Sequence, residues 1–136
     1  MKKVCVILLL ALLCAALSFA ADGLTCKWCG SSSFTSVQHL VTGNCAKSPT
    51  RKHALYPGAP RRAYVCKYCA AQATSLQGLV SGAGTCSRSP RRFHEAYEGP
   101  ETYSYSCKNC GATRTSLNQL ITSPCPKTAW GYHDPL

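Results

Sequence analysis

The stretch TCKWCGSSSFTSVQHLVTGNCAKSPTRKH, residues 25–53, decides how this chain is read, because its chemistry returns twice. It carries Cys26, Cys29, Cys45 and His53; the second copy has Cys66, Cys69, Cys86 and His94, and the third Cys107, Cys110, Cys125 and His133. Each copy opens as C-x2-C. Fifteen, sixteen or fourteen residues then lead to the third cysteine, and seven always separate that cysteine from the histidine. First cysteines recur after 40 and then 41 residues, so internal repetition governs every later step.

Three thiolates and one imidazole form a common structural donor set for zinc, which takes four ligands in a tetrahedron. A C-x2-C turn offers two sulfurs to one ion, and the later cysteine and histidine close the site. The pattern predicts three structural zinc ions. Such a centre carries a net charge of about −1, and Lys27, Lys67 and Lys108, each inside a C-x2-C pair, are placed to offset it and to favour thiolates. All four ligands come from protein, so no open position is left for catalysis and a non-enzymatic role is expected.

The alternatives are a disulfide framework and a thiol-redox protein built on C-x2-C. Three cysteines per copy leave one thiol over in each if pairing stays local, and the fixed histidine would then have no role. Thioredoxin-like motifs belong to alternating strands and helices, which the sequence does not show. Hydrolase chemistry lacks its parts: the acids are Asp22, Glu95, Glu98, Glu101 and Asp134, none recurs in all three copies, and neither a nucleophile elbow nor HExxH occurs.

Outward from the ligands, Gly30 and Gly111 follow the second cysteines, where a left-handed residue turns the chain back, and Ala70 at that place weakens the rule in the second copy. Thr35–Val41, Thr74–Val80 and Thr115–Ile121 repeat apolar residues at i, i+3 and i+4, which predicts a helix of two to three turns in each copy. Thr35 with Gln38 and Thr74 with Gln77 have the form of a capping box, and Gly78 weakens the middle helix. Helices this short are marginal alone, so Leu40, Leu79 and Leu120 are expected to pack on their own cysteines. Prolines after the third cysteine prevent a helix from running on to the histidine. Twelve residues join each histidine to the next cysteine, and the linkers share Tyr56-Pro57-Gly58 and Tyr97-Glu98-Gly99, which predicts stacking in a repeated geometry.

The order of knuckle, Thr-Ser-Leu-x-x-Leu helix and distal ligands resembles the ββα zinc finger, with Tyr64, Cys66, Cys69 and Leu79 at that family's aromatic, metal-pair and core positions. The third ligand comes later than in that family and is a cysteine. More closely, the chain resembles short bacterial exported proteins with tandem C-x2-C…C…H units, a pattern carried by Cys66, Cys69, Ser75, Leu76, Leu79, Cys86, His94, Tyr97, Glu98 and Gly99. That resemblance implies zinc binding. The expected fold is a small metal-stabilised α+β class of three tandem zinc-finger-like modules, each a cysteine knuckle or β-hairpin plus one short helix, over residues 21–58, 59–99 and 100–136.

Residues 1–20 read as a signal peptide: Lys2 and Lys3, an apolar run from Val4 to Phe19, and a small-x-small site that predicts cleavage after Ala20. The destination is secreted or periplasmic. Without the leader the chain has 116 residues and a formal charge of +8. Its modules of about 40 residues are of the size that needs metal or disulfides to fold. The basic balance points to an anionic polymer such as a glycan or extracellular nucleic acid, or to a protein partner. Arg51, Lys52, Arg61, Arg62, Arg88, Arg91 and Arg92 are the candidate contacts, able to meet phosphates or sulfates without reading a sequence. A nucleic-acid-binding effector and a metal buffer or carrier are further alternatives.

Overall fold

The computed structural model describes residues 24–136, so the expected leader and its cleavage site lie outside the described residues. Small antiparallel hairpins alternate with short helices, and the pattern runs three times along the chain. In the second repeat β1 (Tyr64–Val65) pairs with β2 (Gln72–Ala73); in the third, β3 (Tyr105–Ser106) pairs with β4 (Thr113–Arg114). The first repeat holds only a bridge, Leu24 to Phe34, at this place. Each hairpin turns on the residue after the second cysteine, with φ of 74° at Gly30, 62° at Ala70 and 73° at Gly111. Ala70 therefore accepts the left-handed strain that glycine avoids at the other two positions.

The histidine arm returns to form a third strand-like segment. The amide of Lys27 donates to the Ala54 carbonyl, Lys67 to Glu95 and Lys108 to Asp134; the amides of Tyr56, Tyr97 and Leu136 donate to the carbonyls of Thr25, Val65 and Ser106. Each linker is thus bound first to its own repeat.

Helix α1 spans Val37–Thr42 and α2 spans Leu117–Thr122, six residues each and so under two turns. Their N-caps are Ser36 and Ser116, whose Oγ atoms accept from the amides of His39 at 3.1 Å and Gln119 at 3.2 Å. The cap is therefore the serine of each Thr-Ser pair, one residue later than the capping box expected at Thr35 and Thr74. Ser75 likewise accepts from the Gly78 amide, but the second repeat continues as a π-helical turn over Gly78–Gly82. Leu40, Leu79 and Leu120 are fully buried, Leu79 against Cys66 and Cys86 and Leu120 against Cys107 and Cys125. In the second and third repeats this leucine sets the helix on the cysteines.

Successive repeats stack through the linker tyrosines. Tyr56 shares a buried cluster with Leu76 and Val80 of the second repeat, and Tyr97 one with Leu117 and Ile121 of the third. The Tyr56 hydroxyl donates to the Tyr97 carbonyl at 3.1 Å, and the Tyr97 hydroxyl donates to the Leu136 carbonyl at 3.0 Å. Tyr56, Tyr97 and Leu136 stand three residues beyond His53, His94 and His133, so every tyrosine reaches the same position one repeat on. Gly58 and Gly99 make room for the ring: a Cβ on either would lie 2.4 or 2.2 Å from the hydroxyl oxygen of its own tyrosine. Gly30 meets the next repeat directly, since a Cβ there would stand 2.3 Å from Gln77 Cα. Among the described residues no helix is long and apolar enough to cross a membrane.

Candidate metal centres

The twelve residues singled out by spacing fall into three groups, Cys26, Cys29, Cys45 and His53, then Cys66, Cys69, Cys86 and His94, then Cys107, Cys110, Cys125 and His133. Within each group the four donor atoms lie inside 4.8 Å of one another. Cys66 and Cys86 sulfurs stand 4.0 Å apart, as do those of Cys107 and Cys125. The imidazole Nδ1 atoms of His53, His94 and His133 lie 3.5, 3.5 and 3.3 Å from the sulfurs of Cys29, Cys69 and Cys110. Zn–S near 2.3 Å and Zn–N near 2.0 Å put tetrahedral edges at about 3.8 Å between sulfurs and about 3.5 Å from sulfur to nitrogen. Those five separations are close to such edges. A disulfide needs about 2.05 Å, and all nine cysteines among the described residues are free thiols.

Local folding delivers each donor. The knuckle amides turn inward, with Gly30, Ala70 and Gly111 donating to the carbonyls of Cys26, Cys66 and Cys107. The arm from third cysteine to histidine closes on itself: the amides of Cys45, Cys86 and Cys125 donate to the carbonyls of Arg51, Arg92 and Gly131, residues with φ of 59°, 63° and 76°. That left-handed turn brings the imidazole back. The prolines predicted a loop that folds the imidazole back but not its left-handed residue, for which Gly131 was the available signal. His94 Nε2 sits 3.2 Å from the Ala83 carbonyl, where it donates, which leaves Nδ1 as the free lone pair facing the sulfurs. His53 is held by the edge of Phe34, ring centroids 4.7 Å apart.

The thiols cannot all ionise unaided. Burial raises Cys26, but the Cys29 amide and the His53 imidazole outweigh it and bring the thiol down to about 7. Burial is likewise outweighed at Cys107, where His133 and the Asn109 amide bring it to about 6. Burial and the neighbouring Cys26 sulfur push Cys29 up to about 11; burial, with Cys66 beside it, pushes Cys69 up to about 12. A cation among the sulfurs removes that opposition, so the donor chemistry fits a metal ion.

The knuckle lysines have partners of their own. Lys67 pairs with Glu95 at 3.0 Å and Lys108 with Asp134 at 2.6 Å, the acids lying directly after His94 and His133. Ala54 holds that place in the first repeat, and Lys27 reaches Glu98 of the second linker at 3.5 Å. The basic candidates divide. Arg51, Lys52, Arg62 and Arg92 are exposed, whereas Arg61, Arg88 and Arg91 are half-buried. Arg61 donates to the carbonyls of Tyr97 and Gly99. Arg91 donates to the Lys47 carbonyl, covers Trp28 at 4.6 Å and approaches Glu95. Arg88 lies 3.7 Å over Tyr132. Arg88 and Arg91 join repeats, and Arg61 ties the first linker to the second.

No protein-family model, curated protein or solved structure matches this chain.

Proposed function

We propose that this chain is an exported, non-enzymatic repeat protein in which three structural zinc ions hold a basic surface for an anionic partner. The observation that carries the reading is the Cys3His grouping, repeated three times with the four donors of each group inside 4.8 Å of one another. Zinc suits this mixture of three soft thiolates and one imidazole. Its role is to fold repeats whose apolar cores are small. Anion contact falls to Arg51, Lys52, Arg62 and Arg92, the candidates that remain exposed, and it works by charge without sequence readout.

The test is elemental analysis of protein purified without reductant, with thiols titrated before and after chelation. Three zinc ions per chain, with nine thiols reacting only after the metal is stripped, is the expected result. Metal-free protein with oxidised cysteines would overturn it. The partner is tested on a heparin matrix: retention should weaken with salt and be lost in an Arg51→Ser, Arg62→Ser, Arg92→Ser variant that keeps its metal.

A second reading, metal buffering, draws on one observation: Cys29, Cys69 and Cys110 are half-buried while their partner cysteines are buried. Each centre has one approachable sulfur. Exchange of isotopically labelled zinc within seconds at equilibrium would favour buffering, and retention over hours a structural role.

A further inference from the structure

Charge is sorted across the repeats. Glu98, Glu95 and Asp134 pair with the knuckle lysines Lys27, Lys67 and Lys108. The arms from third cysteine to histidine, residues 45–53, 86–94 and 125–133, hold three, three and one basic residues and no acid. Successive arms also touch. Lys47 lies over the Phe93 ring at 5.4 Å, Arg91 donates to the Lys47 carbonyl, and Arg88 lies over the Tyr132 ring at 3.7 Å. The three arms therefore run in file as one basic ridge. Two kinds of side chain are left on it. Arg51, Arg92 and Lys127 are exposed, and among the described residues they have no hydrogen-bond or ion-pair partner. Arg51 and Arg92 stand at φ of 59° and 63°, in the turn that the third arm makes with Gly131, so two arginines are kept where the backbone favours glycine. The other kind is aromatic. Phe93 and Trp130 are 37% and 46% exposed, whereas leucine, isoleucine, valine and methionine are absent from all three arms.

The geometry points to single-stranded nucleic acid as the partner of this ridge, its phosphates on Arg51, Arg92 and Lys127 and its bases stacked on Phe93 and Trp130. The inference rests on the basic-surface reading above and names the partner class. Other polyanions use only part of what the ridge offers. A sulfated glycan meets the cations but has no aromatic plane to stack. A duplex presents phosphates and keeps its base faces paired and stacked inside. An anionic membrane rewards buried apolar mass, and the arms have no aliphatic side chain larger than alanine outside their prolines. A single strand brings a charge and a free base face with every nucleotide, the combination that basic grooves with aromatic platforms bind. Stacking accepts any base, so such a ridge holds a strand without reading its sequence. The cations that lie over Phe93 and Tyr132 hold those rings in the file of arms and add their own attraction for the π system.

The test measures affinity for oligo-thymidylate, the matching duplex, heparin and phosphatidylglycerol vesicles over a salt series, using the full chain as purified. A Trp28→Phe chain leaves Trp130 as the one emitting tryptophan. Oligo-thymidylate should bind most tightly, quench Trp130 and weaken as salt rises. Trp130→Ala should weaken the single strand about tenfold, within the range for a lost stacking ring, and leave heparin binding unchanged. Joint Arg51→Gly and Arg92→Gly substitution should weaken single strand and heparin alike and reduce the salt slope for the single strand by about 1.4, at about 0.7 for each lost phosphate contact. That variant keeps its turns, since Gly131 makes the same one, and metal content and far-UV circular dichroism check the folding of every variant. Tighter binding of heparin, duplex or vesicles, an unmoved Trp130 emission, or a Trp130→Ala chain that loses heparin as much as the single strand would overturn the inference; heparin retention in those cases leaves the basic-surface reading standing. Binding to none of the four probes would remove both.

Discussion

Replacing Tyr97 by alanine tests whether the repeats form one cooperative body. Its ring is buried in a cluster with Leu117 and Ile121, its hydroxyl donates to the Leu136 carbonyl, and its own carbonyl receives the Tyr56 hydroxyl and Arg61. Truncating a buried aromatic side chain costs about 3 to 5 kcal/mol. Tyr97→Phe removes only the hydroxyl bond and should cost about 0.5 to 1.5 kcal/mol. No metal ligand is touched, so both variants should keep wild-type metal content. Urea unfolding at fixed buffered zinc separates these effects from metal release, which by itself shifts stability. Trp28 lies in the first repeat and Trp130 in the third, so variants retaining one tryptophan report the two ends separately. Wild type should unfold in a single transition seen equally by both, because nearest-neighbour contacts couple repeats. Tyr97→Ala should split it, with the Trp130 signal moving to lower urea. A loss under about 0.5 kcal/mol, with both signals still coincident, would refute the stacking account.

Three further outcomes follow from the same contacts. Gly30→Ala and Gly111→Ala face equal left-handed strain, about 1 kcal/mol, but only the first meets a neighbouring backbone; thermal unfolding should show Gly30→Ala as the costlier by 1 kcal/mol or more, about the penalty of overpacking. His94→Ala removes one ligand, and native mass spectrometry should count two metal ions in place of three, while hydrogen exchange rises in the third repeat as well as the second. Ser116→Ala should lower stability by about 0.5 to 2 kcal/mol in the same unfolding assay, the cost of a lost N-cap, whereas Thr115→Ala should be close to neutral.

The candidate centres were legible because their chemistry is written locally: C-x2-C needs no distant information, and repetition attached Cys45 and His53 to it. Helix positions came from the i, i+3, i+4 pattern, but their lengths did not, since α1 stops at Thr42 where the chain must turn toward Cys45. The third strand-like segment left no trace, because two or three residues around Leu55, Ala96 or Pro135 are too few to alternate. Equal linkers announced stacking without revealing its chemistry. A tyrosine that bonds to a main-chain carbonyl selects no partner residue, so no pairing of side chains could be read. Arg61, Arg88 and Arg91 show the limit of charge counting: composition assigned them to solvent, and the second linker engages Arg61 while neighbouring repeats engage Arg88 and Arg91.

The π-helical turn at Gly78–Gly82 gives this fold a place where length is free. Nine residues lie between Leu76 and Cys86, against seven between Val37 and Cys45 and between Leu117 and Cys125. A turn bonded i to i+5 takes up one more residue than an α-turn, and Gly84, at φ 76° with open space around it, lets the remainder loop outward. The surplus is absorbed ahead of the third ligand, and the invariant arm to the histidine is undisturbed. The four donors of the second repeat therefore meet despite the longer stretch between helix and third cysteine. A short flexible insert between Gly84 and Thr85 should be carried as a bulge, so the second repeat can serve as a display site for a reporter peptide while the array on either side keeps its register.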